Sequence, residues 1–514
     1  MDAALPLTMV AKFSTWLPTN NWVRFLFAPL LVFIATSVDR NYQTDFWHHL
    51  ARGQAMAEQG RLVNEDLFTY TVAGASFQDA NWFTQLIYHY VFGEGGLPLV
   101  QLVNSIVLAL VMAVVVGLSL RSSRSFIVSA GMGIFAFLGL WQLLIIRPQT
   151  FSLLLFVLIY TILEFAQRRR SLLVLPPLLM AVWANMHGGF PIGLVLVGSY
   201  VLAAFWDSWR VEGKNFWCNG KIWCFALCLL ACIAATLINP YGWRVYEYVG
   251  VTSSVANARR IDEWLPPGLQ LFAGKVWVAS VLLVLLLFAL PGRRPRATET
   301  CLVLCFLPLS CGSIRMVAWW LLIMAPIAAG LIMDNVRGYF TFAEKPEGPC
   351  RSAAITVLVL GIVAFSCVPA LENYNPVLNW LGRNKRTEDD LYVLASKLRH
   401  DEGRGRIFSR FEWGEYLGWS LAPRYKIFMD GRIEIFPDNV WQDFSAITRG
   451  RADWERILDR YGVDYLILDS SGFNADLLPQ VRESNGWEET ASSGNAILFR
   501  KRPPSQALAG ARSP

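Results

Sequence analysis

Charge is scarce in this sequence. Asp, Glu, Lys and Arg make up 16% of its 514 residues, against about 25% in soluble globular chains. The deficit is concentrated in long apolar runs before residue 370, and the residues beyond 370 have a soluble composition. One soluble globular body is therefore excluded. The pattern predicts an α-helical multispanning membrane domain over 1–370, a small α/β domain over 371–502, and a disordered Pro-, Ala- and Ser-rich end at 503–514.

A disulfide framework is lacking as well. Nine Cys are present, most of them in apolar segments (Cys224, Cys228, Cys232, Cys301, Cys305, Cys311, Cys367), and none lies beyond Cys367. Cys228 and Cys232 sit four apart on one helix face and read as small packing residues. The net charge of +6 comes with no basic patch interleaved with aromatics in the soluble region, so nucleic acid is set aside as a partner. The excess reads instead as basic cytoplasmic loops.

A span needs about 20 mostly apolar residues. Eleven candidates lie near 23–38, 97–120, 125–146, 149–166, 171–187, 190–206, 222–239, 272–290, 298–314, 316–333 and 352–370. Alternate connections carry Arg121/Arg124, Arg168/Arg169/Arg170, Arg210/Lys214/Lys221, Arg293/Arg294/Arg296 and Arg337/Lys345/Arg351. The positive-inside rule puts all five in the cytoplasm. A multi-pass membrane protein is expected, with a cytoplasmic N-terminus, an uncleaved first span and an external C-terminal domain, periplasmic if the membrane is the inner membrane of a double-membrane bacterium.

The opposite connections hold the unusual polar residues, in the long first one at 39–96, in IIRPQT, in ANMHGGF, in INPYG with NARRIDEWLPPG, and in SIRM. Interfacial anchoring explains any one of them; five on one side mark a functional surface. The first of these connections, 39–96, is too long for a simple link. Phe46, Leu50, Ala51, Ala55 and Met56 recur at helical spacing, and a second amphipathic stretch runs from Trp82 to Phe92. Both helices are expected to lie in the membrane interface, joined by the turn-rich Asn64–Asp79. Asp39 closes the first span. Asp45 opens the first interfacial helix, where a carboxylate also suits the helix dipole. His48 and His49 come within a turn of it, and Glu65 and Asp66 form a second acidic pair. Such a cluster suits a base or a divalent cation held through oxygens, and the spacing leaves both open.

In the tail, RIFSRF, YKIFMD, DYLILD and NAILFR read as short strands, and RADWERILDRYG as an amphipathic helix with Trp454, Ile457, Leu458 and Tyr461 on one face. Asp430 and Arg432 end a strand, where binding residues and structural ion pairs are equally at home.

The strings DFWHHLARGQAMAEQGRLVNEDLFTYT (45–71), NWFTQLIYHY (81–90), RPQTFS (147–152), WANMHGGFPIG (183–193), NPYG (239–242), IDEW (261–264) and FEWGEYLGWSLAPRYKIFMDGR (411–432) span nearly the whole chain. Together they resemble a family of bacterial membrane proteins within the type-C glycosyltransferases. The resemblance implies inverting transfer of a sugar from a polyprenyl-phosphate-linked donor to an envelope or secreted glycan, lipid or protein acceptor. It implies a catalytic carboxylate in the first outer connection, with Asp45 preferred because it belongs to the motif and Asp39 second. A metal held by outer-loop acids is a further feature of such enzymes. More loosely, Glu412, Trp413, Gly414 and Tyr416 resemble the acidic Trp- and Gly-bearing motif of the oligosaccharyltransferase catalytic subunit, although Trp-Trp-Asp is missing.

That chemistry needs positive charge or donors on the departing phosphate. Arg147 and Arg315 sit at outer span ends, and a guanidinium fork matches phosphate oxygens; snorkelling to the interface is the plainer explanation of each. His187, Asn185, His48 and His49 are candidate hydrogen-bond donors to sugar or phosphate. Glu263, Glu412, Trp413, Tyr416, Asp430 and Arg432 are candidates on the acceptor side. Two other classes compete: a transporter or lipid flippase, and a non-catalytic envelope-assembly protein. Charges at span ends, with no evident repeat, speak against the transporter.

Overall fold

The computed structural model describes residues 20–38, 44–141, 144–336, 351–368, 371 and 387–503. Asp39 lies outside these residues. The chain divides into two compact units. One comprises Met1–Asp39, Gly95–Tyr246 and Arg259–Leu381; the other comprises Arg40–Glu94, Glu247–Ala258 and Gly382–Pro514.

The first unit is helical. Among the described residues, six helices are long and apolar enough to cross a membrane: Asn21–Val38, Trp82–Ser123, Gln149–Ala166, Pro191–Glu212, Phe272–Ala289 and Ile314–Val336. Shorter apolar helices occupy Phe126–Leu140, Arg170–Met186, Gly220–Thr236, Ala297–Gly312 and Ser352–Ser366. Every expected span thus coincides with an apolar helix, but five fall short in length. The 15 residues of Phe126–Leu140 rise only about 22 Å against a hydrocarbon core of about 30 Å. The helix Trp82–Ser123 bends at Gly95 and Gly96. Gly96 has φ +64°, a conformation that costs glycine little.

Ile314–Val336 is the most enclosed helix, with every residue from Val317 to Leu331 buried. Trp319 meets Phe156 at 5.0 Å and Trp183 at 6.0 Å between ring centroids. The Trp320 indole N–H is satisfied by Ser280 Oγ at 2.7 Å, as a buried donor requires. Gln149–Ala166 and Ile314–Val336 carry polar groups at both ends. Arg147 and Arg315 stand at their starts. Toward their C-terminal ends Glu164 and Asp334 meet Arg296 (3.6 Å) and Arg293 (2.6 Å). The basic connection Arg293–Arg296 and the candidate phosphate ligands therefore occupy opposite helix ends.

The second unit is built on a five-stranded sheet in the order β2-β1-β3-β5-β4. The strands are β1 (Gly405–Ser409), β2 (Tyr425–Ile427), β3 (Tyr465–Asp469), β4 (Trp487–Ser493) and β5 (Ala496–Lys501). β2, β1 and β3 are parallel; β5 runs antiparallel to β3 and β4. The four strands expected from the sequence are present. β4 is an addition to them: WEETASS lacks apolar alternation, and only Trp487 in it is fully buried. The helix Trp454–Tyr461 buries Trp454, Ile457 and Leu458, as its spacing requires.

The first long connection forms its two expected helices; the first has its apolar face covered by protein, whereas the second keeps Phe83 and Tyr90 exposed, at helical spacing on one face. Phe46 and Trp47 of the helix Thr44–Gln59 are buried by protein. Trp47 stacks on Trp419 at 4.7 Å and meets Tyr416 edge-on at 5.0 Å; Phe46 meets Tyr88 at 5.4 Å. Both Tyr416 and Trp419 come from the tail helix Phe411–Leu421. A side chain at Gly53 would lie 2.1 Å from the Gln85 carbonyl, so the two connection helices touch backbone to backbone there. The same connection extends the sheet. Ile427 N–H donates to Phe68 O, and Tyr70 N–H to Ile427 O, both at 3.1 Å.

Candidate functional site

In the first unit, residues from separate helix ends converge on Glu263. Arg147 is 6% exposed and donates through both terminal nitrogens to the two Glu263 oxygens, each at 2.8 Å, the bidentate geometry that fits planar forks. Arg315 Nε lies 3.7 Å from Glu263 Oε2, and its guanidinium lies 5.2 Å over the Trp264 ring. The loop is pinned to the start of Ile314–Val336: Ser313 Oγ donates to Glu263 O at 2.9 Å, and Ile314 N–H to Leu265 O at 2.9 Å. Burial alone would raise the Glu263 pKa. The Arg147 and Arg315 guanidinia outweigh burial and pull it down to about 2.

His187 caps the helix Leu175–Met186, and its tautomer is set by its partners. Gly189 N–H, which can only donate, lies 3.0 Å from Nδ1. Ser152 Oγ accepts the Trp183 indole N–H at 2.7 Å and stands 2.9 Å from the same Nδ1, so its own proton is directed at the ring. Nδ1 is therefore an acceptor, the imidazole is neutral, and its proton is on Nε2. A side chain at Gly189 would come within 2.8 Å of Nδ1, which ties the second Gly of HGG to this arrangement. The Asn185 amide donates to Ala181 O (2.8 Å) and Ile238 O (2.7 Å), and so fastens the loop at the end of Gly220–Thr236.

In the second unit, Asp45, His48 and Arg52 stand at i, i+3 and i+7 on one helix. Partners for this polar stripe come from other segments. His48 Nδ1 lies 3.3 Å from Glu415 Oε2, whose side chain is 1% exposed. Burial pushes the Glu415 carboxyl up to about 7, against the opposing pull of His48. Burial would lower the His48 pKa; Glu415 outweighs it and raises it. Asp45 acts on both groups. His49 Nδ1 meets Gln85 Nε2 at 3.1 Å, Gln85 Nε2 also donates to Asp79 Oδ1 at 3.1 Å, and Asp79 pairs with Arg52 at 2.5 Å.

Glu65 and Asp66 part ways. Glu65 pairs with Arg61 in the open at 2.8 Å. Asp66 is buried and pairs with Arg432, which also grips Asp430, both at 2.5 Å. Burial would raise the Asp430 pKa, but Arg432 holds it below the ordinary value. Glu412 pairs with Arg410 at 3.1 Å, Trp413 is buried, and Tyr416 packs among Trp47, Trp419 and Tyr392. Among the described residues, no group of three or more His, Cys, Asp or Glu is placed to hold a metal ion.

Sequence reasoning missed Ser152, Trp183, Arg52, Asp79, Gln85 and Glu415. Arg52 carries a signal, since it continues the Asp45–His48 stripe at helical spacing. Ser152 and Trp183 lie inside recognisable motifs but read as ordinary span residues. The remaining three are recruited across long sequence separations that no local period encodes.

No protein-family model and no curated protein matches the sequence. Solved structures do match. The chain aligns with the Archaeoglobus fulgidus oligosaccharyltransferase in its apo form over 94% of this chain and 77% of that one, at 10% identity and a TM-score of 0.57. It aligns with the archaeal oligosaccharyltransferase AglB of the same organism, in complex with an inhibitory peptide and a dolichol-phosphate, over 94% and 74%, at 11% identity and a TM-score of 0.52. The form of that enzyme tethered to an acceptor peptide gives 94% and 74%, 10% and 0.52. The chain has the type-C glycosyltransferase fold, a multispanning helical domain with a small mixed α/β domain after it.

Proposed function

We propose that this protein is an inverting membrane glycosyltransferase, moving a sugar from a polyprenyl-phosphate-linked donor to an envelope or secreted acceptor on the non-cytoplasmic side. The observation that carries this reading is the Arg147–Glu263–Arg315 cluster, whose two guanidinia act electrostatically on His187. Two fixed guanidinia face a single carboxylate, and the neutral imidazole keeps its Nε2–H as a donor. A departing phosphate needs that combination of charge and donors. The fold adds support, since a structural relative was solved with dolichol-phosphate.

In the reaction, the acceptor O–H or N–H gives its proton to a carboxylate, Asp45 or else Asp39. The freed lone pair attacks the anomeric carbon. The carbon–oxygen bond to phosphate breaks, and its electron pair passes to the phosphate oxygen, where Arg147 and Arg315 stabilise the charge. Glu263 holds the two guanidinia in the absence of phosphate. In this reading the N-terminus is cytoplasmic, all eleven apolar helices cross the membrane, and the C-terminal domain lies outside, where cysteine labelling in intact cells would reach it.

The test is transfer by the purified protein from polyprenyl-phosphate sugars, combined with mass spectrometry of envelope glycans in a deletion strain. Product that forms with the wild type and is lost in Arg147→Gln supports the reading. No transfer from any lipid-phosphate donor, with unchanged envelope glycans on deletion, overturns it.

A further inference from the structure

At the N-terminal ends of β1 and β2 lies a cleft of about 500 Å³, lined by Arg404, Arg406, Arg424, Lys426, Tyr70 and Asp464 among others. Arg406 and Lys426 are register partners in the parallel pair, so their side chains leave the same face of the sheet. Arg404 and Arg424 precede them by two residues and continue that face. Further along, the face carries Phe408 and Phe428 into the core. At the strand starts it carries four cations in two adjacent rows.

This arrangement costs stability, because like charges side by side on neighbouring strands repel. The fold does little to neutralise them. Among the described residues none of the four cations forms an ion pair. Asp464, the one carboxylate of the lining, accepts the Arg406 backbone N–H at 2.9 Å. The guanidinia are held by neutral carbonyls instead: Arg406 by Tyr461 O at 2.7 Å, Arg424 by Asp401 O at 3.0 Å and Arg399 O at 2.5 Å. Cations on an edge strand ordinarily block unwanted pairing. Here that need is already met, since Phe68 and Tyr70 cover the outer side of β2. Arg406 and Arg424 thus brace helix-end carbonyls while their charge stays uncompensated, and the Arg404 and Lys426 side chains form no hydrogen bond among the described residues.

We propose that this cleft binds a phosphate-bearing ligand, its oxygens shared among Arg404, Arg406, Arg424 and Lys426. Guanidinium forks suit phosphate oxygens, and four cations against one carboxylate match a multiply charged anion. The site is independent of the transfer reaction proposed above. Its ligand is either a soluble phosphate ester or a phospholipid headgroup.

The test uses the full-length protein in detergent, carrying Arg147→Gln and Arg315→Gln so that the other arginine cluster does not contribute. Calorimetric titration is made with inorganic pyrophosphate, with short-chain phosphatidylglycerol, and with citrate as the carboxylate control. One phosphate probe is expected to bind, citrate more weakly, and the tighter probe identifies the source. Arg404→Gln with Lys426→Gln should weaken binding about tenfold per residue. Those two side chains hold no hydrogen bonds among the described residues and their charges repel their neighbours, so the melting temperature should not fall. Arg456→Gln, an exposed cation outside the cleft, should leave binding unchanged. Absence of binding, equal binding of citrate, or equal loss in Arg456→Gln would overturn the proposal.

Discussion

Arg432 and Asp66 are 366 positions apart in sequence and form a buried ion pair at 2.5 Å. Asp66 is further held by Thr69, which donates through its backbone N–H at 3.0 Å and its hydroxyl at 2.7 Å. The tail motif DGR and the connection motif NEDLFT thus act as one structural element. Removing one member of a buried pair leaves an uncompensated charge, which costs about 3–5 kcal/mol. Arg432→Gln should therefore lower the melting temperature of the purified protein and expose the 40–94 segment to protease. Asp66→Asn should cost less, because Arg432 keeps Asp430. A wild-type melting curve for Arg432→Gln would show that the pair contributes little.

The His48–Glu415 pair gives stability a pH dependence of definite sign. Burial moves the Glu415 pKa from its usual 4.5 to about 7, and His48 is raised from 6.5. The folded protein therefore retains protons that the unfolded chain releases. This contribution is complete below about pH 4.5 and is lost as pH rises through about 7, with His48 extending the loss upward. The melting temperature should fall between pH 5 and 8. Glu415→Gln, which mimics the protonated acid, should flatten that slope. A slope of the same size in Glu415→Gln would place its origin elsewhere.

Much of the fold is legible locally. Helical spacing locates Thr44–Gln59 and Trp454–Tyr461, apolar runs locate each membrane-unit helix, and alternation locates four strands. The long-range partnerships are not legible. Asp430 and Arg432 look equally like a binding pair and a structural one, and only Asp66 decides between them. Trp47 looks interfacial in sequence because its burial depends on Trp419, far along the chain. Glu263 looks like an acceptor-side acid because nothing local announces two arginines from other helix ends. Arg404, Arg406, Arg424 and Lys426 look scattered in sequence, and only the β1–β2 register gathers them.

Arg147 and Glu263 separate a phosphate site from a structural ion pair. If Arg147 stabilises the departing phosphate, Arg147→Gln should slow transfer by a factor of roughly a hundred to a thousand, about 2.7–4 kcal/mol in activation free energy. Arg147→Lys keeps the charge but not the fork, and should recover only part. Glu263→Gln removes the competing carboxylate and should tighten polyprenyl phosphate binding, measured by titration in detergent. Unchanged transfer in Arg147→Gln, together with weaker phosphate binding in Glu263→Gln, would reduce the cluster to a structural pair.

Asp45 separates a catalytic base from a helix cap. It lies in the first turn of Thr44–Gln59, where a carboxylate is favourable for purely structural reasons. It also acts electrostatically on His48 and Glu415, so its charge bears on a buried proton-holding pair. Asp45→Asn keeps the size and the capping ability, since Asn caps about as well as Asp, but removes the basic oxygen. If Asp45 only caps, the variant should fold, insert and turn over near the wild-type rate. If it takes the acceptor proton, expression and melting should stay normal while turnover falls by roughly a hundredfold or more. We expect the second outcome, read as initial rates with a polyprenyl-phosphate sugar. Asp39→Asn is the companion variant. Normal turnover in Asp45→Asn beside a dead Asp39→Asn would move the base to Asp39, and full activity in both would remove the carboxylates of this connection from the mechanism.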